Sequence, residues 1–209
     1  MRTECVKYNV YRFNELNEEA KEKVKEWYLE GQIPEFFTDD CKEDLHCLFG
    51  KNDLSVQYSL GYCQGDGFNI YGEIDAKSIF ECLKNHNGGT QFAEFENALT
   101  EKEKKTILHY AEECGRIKLP MNNRYCYSLA DYIDIKEDWE YDLDVYSGYK
   151  NINVEALEKF EELVRGIFRK LCNSYERQGY EFFYEIDERD LEEICEANDY
   201  EFLEDGTVF

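Results

Sequence analysis

The segment WEYDLDV, residues 139–145, alternates acidic residues with large apolar ones. Strict alternation is typical of a half-buried strand, in which every second side chain repeats about every 6.8 Å along one face. The sequence therefore predicts a strand that exposes a straight row of carboxylates from Glu140, Asp142 and Asp144. Such a row could replace the phosphates of a nucleic acid in a basic groove. It could also be an ordinary solvated face that protects an edge strand from pairing.

The acidic charge of the chain is concentrated in two segments. The net charge is −23, of which residues 131–146 contribute −6 and residues 185–205 contribute −10. One interpretation is a solvated surface, since net charge bears on solubility rather than on fold. The other is a partner with a strongly positive surface, which the acids would attract and orient. The candidate partner-binding residues are Asp131, Asp134, Glu137, Asp138, Glu140, Asp142, Asp144, Glu188, Glu192, Glu193 and Glu196.

The tetrapeptide Gln64-Gly65-Asp66-Gly67 lies between two alternating runs, and Gly-Asp-Gly in that setting indicates a hairpin. The two glycines permit positive φ and a close backbone approach. We predict a tight turn in which the Asp66 carboxylate bonds to its own backbone. A loop that binds a ligand through Gln64 and Asp66 is the alternative interpretation.

Other patterns of metal binding and catalysis are incomplete in this sequence. Asp142-x-Asp144 begins like a calcium loop but lacks the glycine and the bidentate glutamate that follow in such loops. Cys41, His46 and Cys47 lack a fourth zinc ligand. There is no G-x-S-x-G, H-E-x-x-H or P-loop motif. We therefore expect no metal, no cofactor and no catalytic residue.

Composition excludes several classes of protein. The chain is too acidic to bind nucleic acid directly or to adhere to an anionic membrane surface. Its 17 Tyr and 14 Phe argue against a disordered acidic chain. It has neither a run of about 20 apolar residues nor the apolar segment of a signal peptide. Its nine cysteines are irregularly spaced, so we expect reduced thiols in a cytoplasmic protein.

The elements predicted from periodicity and capping indicate an α+β fold. Strands joined by short turns imply an antiparallel sheet, and we expect the helices to pack mainly on one of its faces. We predict a single domain over 1–209, with 76–115 as a candidate helical insertion. The predicted elements are a strand over 7–13, helices over 17–31 and 38–50, a hairpin over 54–75, a helix over 76–85, two helices over 91–114 that bend near Leu99, a second hairpin over 116–133, a strand over 139–145, and helices over 153–179 and 187–197.

Three segments together resemble a family of small acidic proteins carried by bacteriophages, plasmids and conjugative elements. Members show a helix like that of Phe13 to Ala20, an S-Q-G-D-G hairpin like that of Cys63 to Gly72, and a tail like that of Ala197 to Gly206. Cys63 stands where the family has serine, and 76–115 does not align.

The mobile-element setting that this resemblance implies suggests an anti-defence role, because small acidic proteins of phages resemble inhibitors of CRISPR nucleases or of restriction enzymes. We therefore expect a non-enzymatic, anti-CRISPR-like inhibitor that binds a basic groove by nucleic-acid mimicry in the host cytoplasm. Two alternatives stay open: an antitoxin-like protein that masks a toxin, and an enzyme that acts on a nucleotide-like defence signal near Gln64–Gly67.

Overall fold

The protein has an α+β fold, as the order of its sequence patterns predicts. The computed structural model describes residues 2, 6–85, 92–95 and 97–209. Within these residues the α-helices are α1 (Glu18–Glu30), α2 (Pro34–Phe49), α3 (Ala76–Asn85), α4 (Glu101–Cys114), α5 (Lys136–Tyr141), α6 (Val154–Tyr184) and α7 (Glu188–Ala197). The strands are β1 (Asp53–Ser59), β2 (Gly67–Ile74) and β3 (Ile117–Leu119).

The three strands form one antiparallel sheet in the order β1-β2-β3. The register pairs Asp53 with Glu73 and Ser59 with Gly67, so the predicted hairpin over 54–75 is confirmed. Gly72 has a φ of 125°, and a Cβ there would lie 1.9 Å from the Asp53 carbonyl oxygen. Only glycine fits at this close approach of the two strands. That the helices pack mainly on one face of the sheet stays a prediction.

Contacts divide the chain into two compact units. One comprises Met1–Pro34 and Gln178–Phe209, and the other comprises Glu35–Arg177. The boundaries fall at the start of α2 and within α6. The expectation of one continuous domain over 1–209, with an insertion at 76–115, stays a prediction.

The first unit is built on α1 and α7. Asn17 caps α1 by accepting a hydrogen bond from the Ala20 N–H at 3.0 Å, as its position predicts. The predicted strand over 7–13 is wrong: Tyr11 forms an isolated bridge with Phe202, and Phe13–Glu15 is a 3-10 turn. Residues 6–10 are exposed, so burial does not hold them in a strand. The small core contains Phe13, Leu16, Ala20, Val24, Leu191, Cys195 and Phe202.

The second hairpin, predicted over 116–133, is also wrong. β3 pairs with β2 instead, and 124–133 forms no strand but ends in a 3-10 turn at Ala130–Tyr132. The buried Asn69 side chain explains the difference. It donates to the Pro120 carbonyl at 3.0 Å and accepts from the Leu129 N–H at 2.9 Å. The segment after β3 therefore bonds to a side chain of β2 rather than to a strand partner.

The helices of the second unit differ from expectation mainly at their ends. α2 begins at Pro34 rather than after Thr38, because proline is well suited to the first turn of a helix. Thr100 and Glu103, whose Thr-x-x-Glu spacing is typical of a capping box, form one at the start of α4. Of the two helices predicted over 91–114, the first is replaced by a 3-10 turn at Ala93–Phe95. Residues 91 and 96 of that predicted helix lie outside the described residues.

Residues 139–145 are helical, so the predicted strand is wrong. α5 continues directly into a π-helical turn at Asp142–Tyr146. Trp139 and Leu143 are buried, whereas Tyr141 and Val145 are exposed. Two buried residues four positions apart fit one face of a helix as well as one face of a strand, which is why the alternation was misleading.

Candidate protein-binding surface

The start of α5 is held by a buried carboxylate on α6. Glu161 accepts hydrogen bonds from the backbone N–H groups of Ile135 and Lys136, both at 2.8 Å. Its other oxygen pairs with Arg165 at 2.9 Å, and Arg165 in turn donates to the Ile133 carbonyl at 2.8 Å. Glu161 thus supplies acceptors for N–H groups that a helix N-terminus cannot satisfy itself.

Two of the candidate acids make contacts that fix this segment to its own chain. Asp131 forms an ion pair with Arg169. Asp134 accepts a hydrogen bond from the Glu137 N–H at 3.1 Å, next to the first turn of α5. These carboxylates therefore stabilise local structure, and Asp131 already has a cationic partner.

The remaining candidate acids of this segment lie on two faces of the helix rather than in one row. Glu137, Glu140 and Asp144 are spaced i, i+3 and i+7, which places them on a common face. Asp138 and Asp142 are four residues apart on another side. The exposed residues among the five are Glu137, Asp138 and Asp144, whereas Glu140 and Asp142 are half-buried.

The face that carries Glu137, Glu140 and Asp144 lines an open groove of about 540 Å³. We call this cavity the acidic groove; its other lining residues are Tyr141, Tyr149, Lys150, Ile152 and Val154. Two carboxylates one turn apart and a third beyond them give it a negative wall, and Lys150 contributes one positive charge. The groove can accommodate a cationic group with a flat apolar surface.

The second wall of the acidic groove is fixed to α4. The Tyr149 hydroxyl lies 2.6 Å from His109 Nε2, and its ring contacts Tyr110 edge to face. The Tyr149 N–H donates to the Leu143 carbonyl at 2.9 Å, and the Asn153 N–H donates to the Tyr110 hydroxyl at 2.9 Å. The wall is therefore bonded both to α4 and to the π-helical turn.

The candidate acids of the tail helix α7 lie in the other unit. Glu188 pairs with Lys21 at 2.6 Å, and this bond is the largest cause that raises the pKa of Lys21. Glu193 bonds to Arg189 at 3.1 Å. Glu192 is half-buried and Glu196 is exposed. Two of the four carboxylates are thus engaged with cations of their own chain.

The loop between β1 and β2 is longer than the predicted tight turn. Ser59 pairs with Gly67, which leaves seven residues between the strands. The Asp66 carboxylate accepts from the N–H groups of Gly61 and Cys63 at 2.7 and 2.8 Å and from the Ser59 hydroxyl at 2.7 Å. These bonds, above all the one from Cys63, lower the pKa of Asp66 to about 2. Asp66 therefore bonds to its own loop, as predicted, while Gln64 is exposed.

A second cavity, of about 490 Å³, lies along α6 and was not predicted from the sequence. Its lining cations are paired: Lys159 contacts Glu103 and Lys170 contacts Glu94, both at 2.8 Å. Gly166 also lines it, and a Cβ there would come within 2.7 Å of the Phe95 ring, so this glycine allows α6 to pack closely against Phe95.

The described part of the chain contains no group of His, Cys, Asp and Glu arranged to hold a metal ion. None of its helices is long and apolar enough to span a membrane. Its buried cysteines are Cys41, Cys82, Cys172 and Cys195, whereas Cys47 and Cys63 are exposed.

Sequence reasoning missed Glu161, Tyr149 and His109. A signal for Glu161 exists, because it falls in the apolar stripe of α6 between Leu157 and Val164, where a carboxylate needs a partner. Tyr149 and His109 are 40 residues apart in the chain, and no local pattern connects them.

No model of a known protein family, no curated protein and no solved structure matches this chain. The family resemblance stays a prediction.

Proposed function

We propose that this protein is a phage-encoded inhibitor of a bacterial defence nuclease, of the anti-CRISPR kind, and that it acts without catalysis in the host cytoplasm. It would occupy a basic nucleic-acid groove of the nuclease by mimicry. The observation that carries the proposal is the common face of Glu137, Glu140 and Asp144, which lines the acidic groove of a chain with a net charge of −23.

These carboxylates form a series of negative charges that is more widely spaced than the phosphates of a nucleic-acid strand. Along a helix they advance by about 4.5 and 6 Å, from a rise of about 1.5 Å per residue. A nucleic-acid strand presents a charge about every 3.4 Å along its axis. A groove lined with Lys and Arg would therefore meet a series of negative charges on a rigid support, and the attraction would also speed the encounter.

The candidate acids should not contribute equally to the binding of a basic partner. Asp131, Glu188 and Glu193 already neutralise cations of this chain. A partner would have to compete with those contacts, whereas Glu137 and Asp144 are exposed within the groove wall. We therefore assign the largest share of the binding to the acidic groove and a smaller one to α7.

The test is capture of partners from a host that carries defence systems, identified by mass spectrometry, followed by inhibition assays on the captured nuclease. The variant Glu137→Gln/Glu140→Gln/Asp144→Asn should inhibit less, and its binding should weaken less steeply with added salt. The matched control is Glu22→Gln/Glu26→Gln/Glu30→Gln, which removes three exposed acids at helical spacing from α1. Inhibition by the groove variant equal to that of the parent would contradict mimicry at this surface.

The same experiment addresses the antitoxin-like alternative, because a toxin rather than a nuclease would then be captured. It also bears on the alternative of an enzyme at Gln64–Gly67. The Asp66 carboxylate is occupied by bonds to its own loop, which disfavours a catalytic role for it.

A further inference from the structure

We infer that the acidic groove receives an arginine side chain of the partner, stacked against tyrosine and held by the carboxylates. The inference rests on the proposed function, since it specifies how a basic partner is bound. It starts from the aromatic residues around the groove, which neither the core nor the net charge explains.

Three tyrosines cluster at the groove, and two of them are exposed. Tyr141 and Tyr149 both line it, and Tyr146 contacts the Tyr141 ring edge to face with centroids 5.9 Å apart. Tyr141 is 58% exposed and Tyr146 is 76% exposed, so folding leaves most of their surface in water. Tyrosine is enriched in protein interfaces, where its ring buries a large area at a small cost in side-chain entropy.

Charge selects a cation as the occupant. Glu137, Glu140 and Asp144 stand beside the rings, so an anionic partner or a second copy of this acidic chain would be repelled. A cation over a tyrosine face within about 6 Å gains cation–π attraction. The combination of rings and carboxylates therefore favours a cationic side chain of a protein partner.

Arginine fits this combination better than lysine. The guanidinium group is planar, so it can stack on a ring while its N–H groups bond a carboxylate in bidentate fashion. The ammonium group of lysine is a compact charge that retains its water more strongly. A groove with a ring on its wall and carboxylates one helical turn apart should thus discriminate between the two cations.

The groove is formed before the partner arrives. Tyr149 is held by His109 and by the Leu143 carbonyl, while the end of α5 presents Tyr141 and the π-helical turn presents Asp144. π-Helical turns occur frequently at functional sites, although they are rare elsewhere. Because the walls are bonded in place, binding should cost little ordering of this chain.

Lys150 is the residue that opposes a cationic occupant. It is exposed and lines the same groove. Its positive charge should weaken the binding of any cation there, so Lys150→Gln should bind an arginine peptide several-fold more tightly than the parent does. An increase in affinity cannot come from a variant that fails to fold.

The experiment is calorimetric titration of the full chain with blocked nona-arginine and nona-lysine peptides at 150 mM NaCl. The parent should prefer nona-arginine. Tyr141→Leu/Tyr146→Leu should lose about three- to thirty-fold in affinity for nona-arginine, the range expected of cation–π contacts, and change little for nona-lysine. The control is Tyr8→Leu, since Tyr8 is 59% exposed in the other unit.

The outcomes separate this inference from the proposed function. If the tyrosine variant or Lys150→Gln leaves the binding of nona-arginine unchanged while the parent still inhibits its nuclease, the inference is overturned and the function stands. If the parent captures no basic partner yet shows the arginine preference and loses it in the tyrosine variant, the function fails and the groove assignment stands.

Discussion

The Asp66 carboxylate organises the seven-residue loop between β1 and β2. Its bonds from Gly61, Cys63 and Ser59 are stronger to the charged form, which is why the pKa falls to about 2 from an ordinary value of 3.8. A carboxyl group whose pKa is lowered by folding stabilises the folded state fully when the pH is above its pKa in the unfolded chain. That contribution is lost as the pH falls from about 4 through about 2.

We expect the Gly61 and Cys63 amides to keep their protection, measured against the intrinsic exchange rate at each pH, down to a pH near 3 and to lose it on further acidification towards 2. Asp66→Asn should show low protection at both amides throughout that range, because an amide oxygen is a weaker acceptor than a carboxylate. Exchange followed by NMR checks this prediction. Protection that persists in Asp66→Asn would mean that the loop is held by other contacts.

The same carboxylate should control the reactivity of a neighbouring thiol. Cys63 is exposed, yet its bond to Asp66 raises its pKa, which lowers the fraction of reactive thiolate. We expect iodoacetamide at pH 8 to label Cys63 more slowly than the exposed Cys47, and Asp66→Asn to accelerate Cys63 alone. Peptide mass spectrometry measures both sites in one sample, with Cys47 as the internal control.

At the scale of elements, α5 depends on α6 for its position. Glu161 contacts two N–H groups at the start of α5 and pairs with Arg165, and only a small part of its side chain is exposed. Removing Glu161 would leave the two N–H groups without an acceptor and the Arg165 guanidinium without its counter-charge. The acidic groove therefore relies on a residue outside its lining.

Glu161→Ala should reduce the free energy of unfolding by roughly 3 kcal/mol. Glu158→Ala is the matched control: Glu158 lies one turn earlier on α6 and pairs with Lys136 at 2.8 Å, but at the surface, so its loss should cost about 1 kcal/mol or less. Urea denaturation of both variants measures the difference. Equal losses would indicate that the buried pair contributes no more than an exposed one.

Local signals predicted the elements that depend on neighbours in sequence. The cap at Asn17, the capping box of Thr100 and Glu103, and the hairpin flanking Asp66 are examples. α5 was misread because Trp139 and Leu143 suit both periodicities, and the bonds that make it helical come from Glu161 on a distant helix. The acids of the site were predicted, but the groove was not, because its second wall is assembled by tertiary contacts of Tyr149.

The net negative charge of the whole molecule should destabilise the folded state and strengthen binding to a basic partner. A net charge of −23 in 209 residues makes the compact state repel itself, and bringing it against a basic surface relieves that repulsion. Many ion pairs of the described residues are exposed, such as Lys77 with Glu81 and Arg189 with Glu193. Each pair of this kind stabilises by about 1 kcal/mol or less, so screening them costs little.

Raising NaCl from 0.01 to 0.1 M shortens the Debye length from about 30 to about 10 Å, which screens the long-range repulsion more than the short contacts. We therefore expect the Tm to rise by a few degrees, roughly 2–4 °C per kcal/mol for a chain of this size, while affinity for a basic partner falls over the same range. Calorimetry of the free chain and titration with the captured partner measure the two salt dependences.

The control variant Glu22→Gln/Glu26→Gln/Glu30→Gln should show a smaller rise in Tm than the parent, because it carries three fewer negative charges. A Tm that falls with salt would mean that ion pairs outweigh the repulsion, and an affinity that is independent of salt would contradict a partner bound through charge.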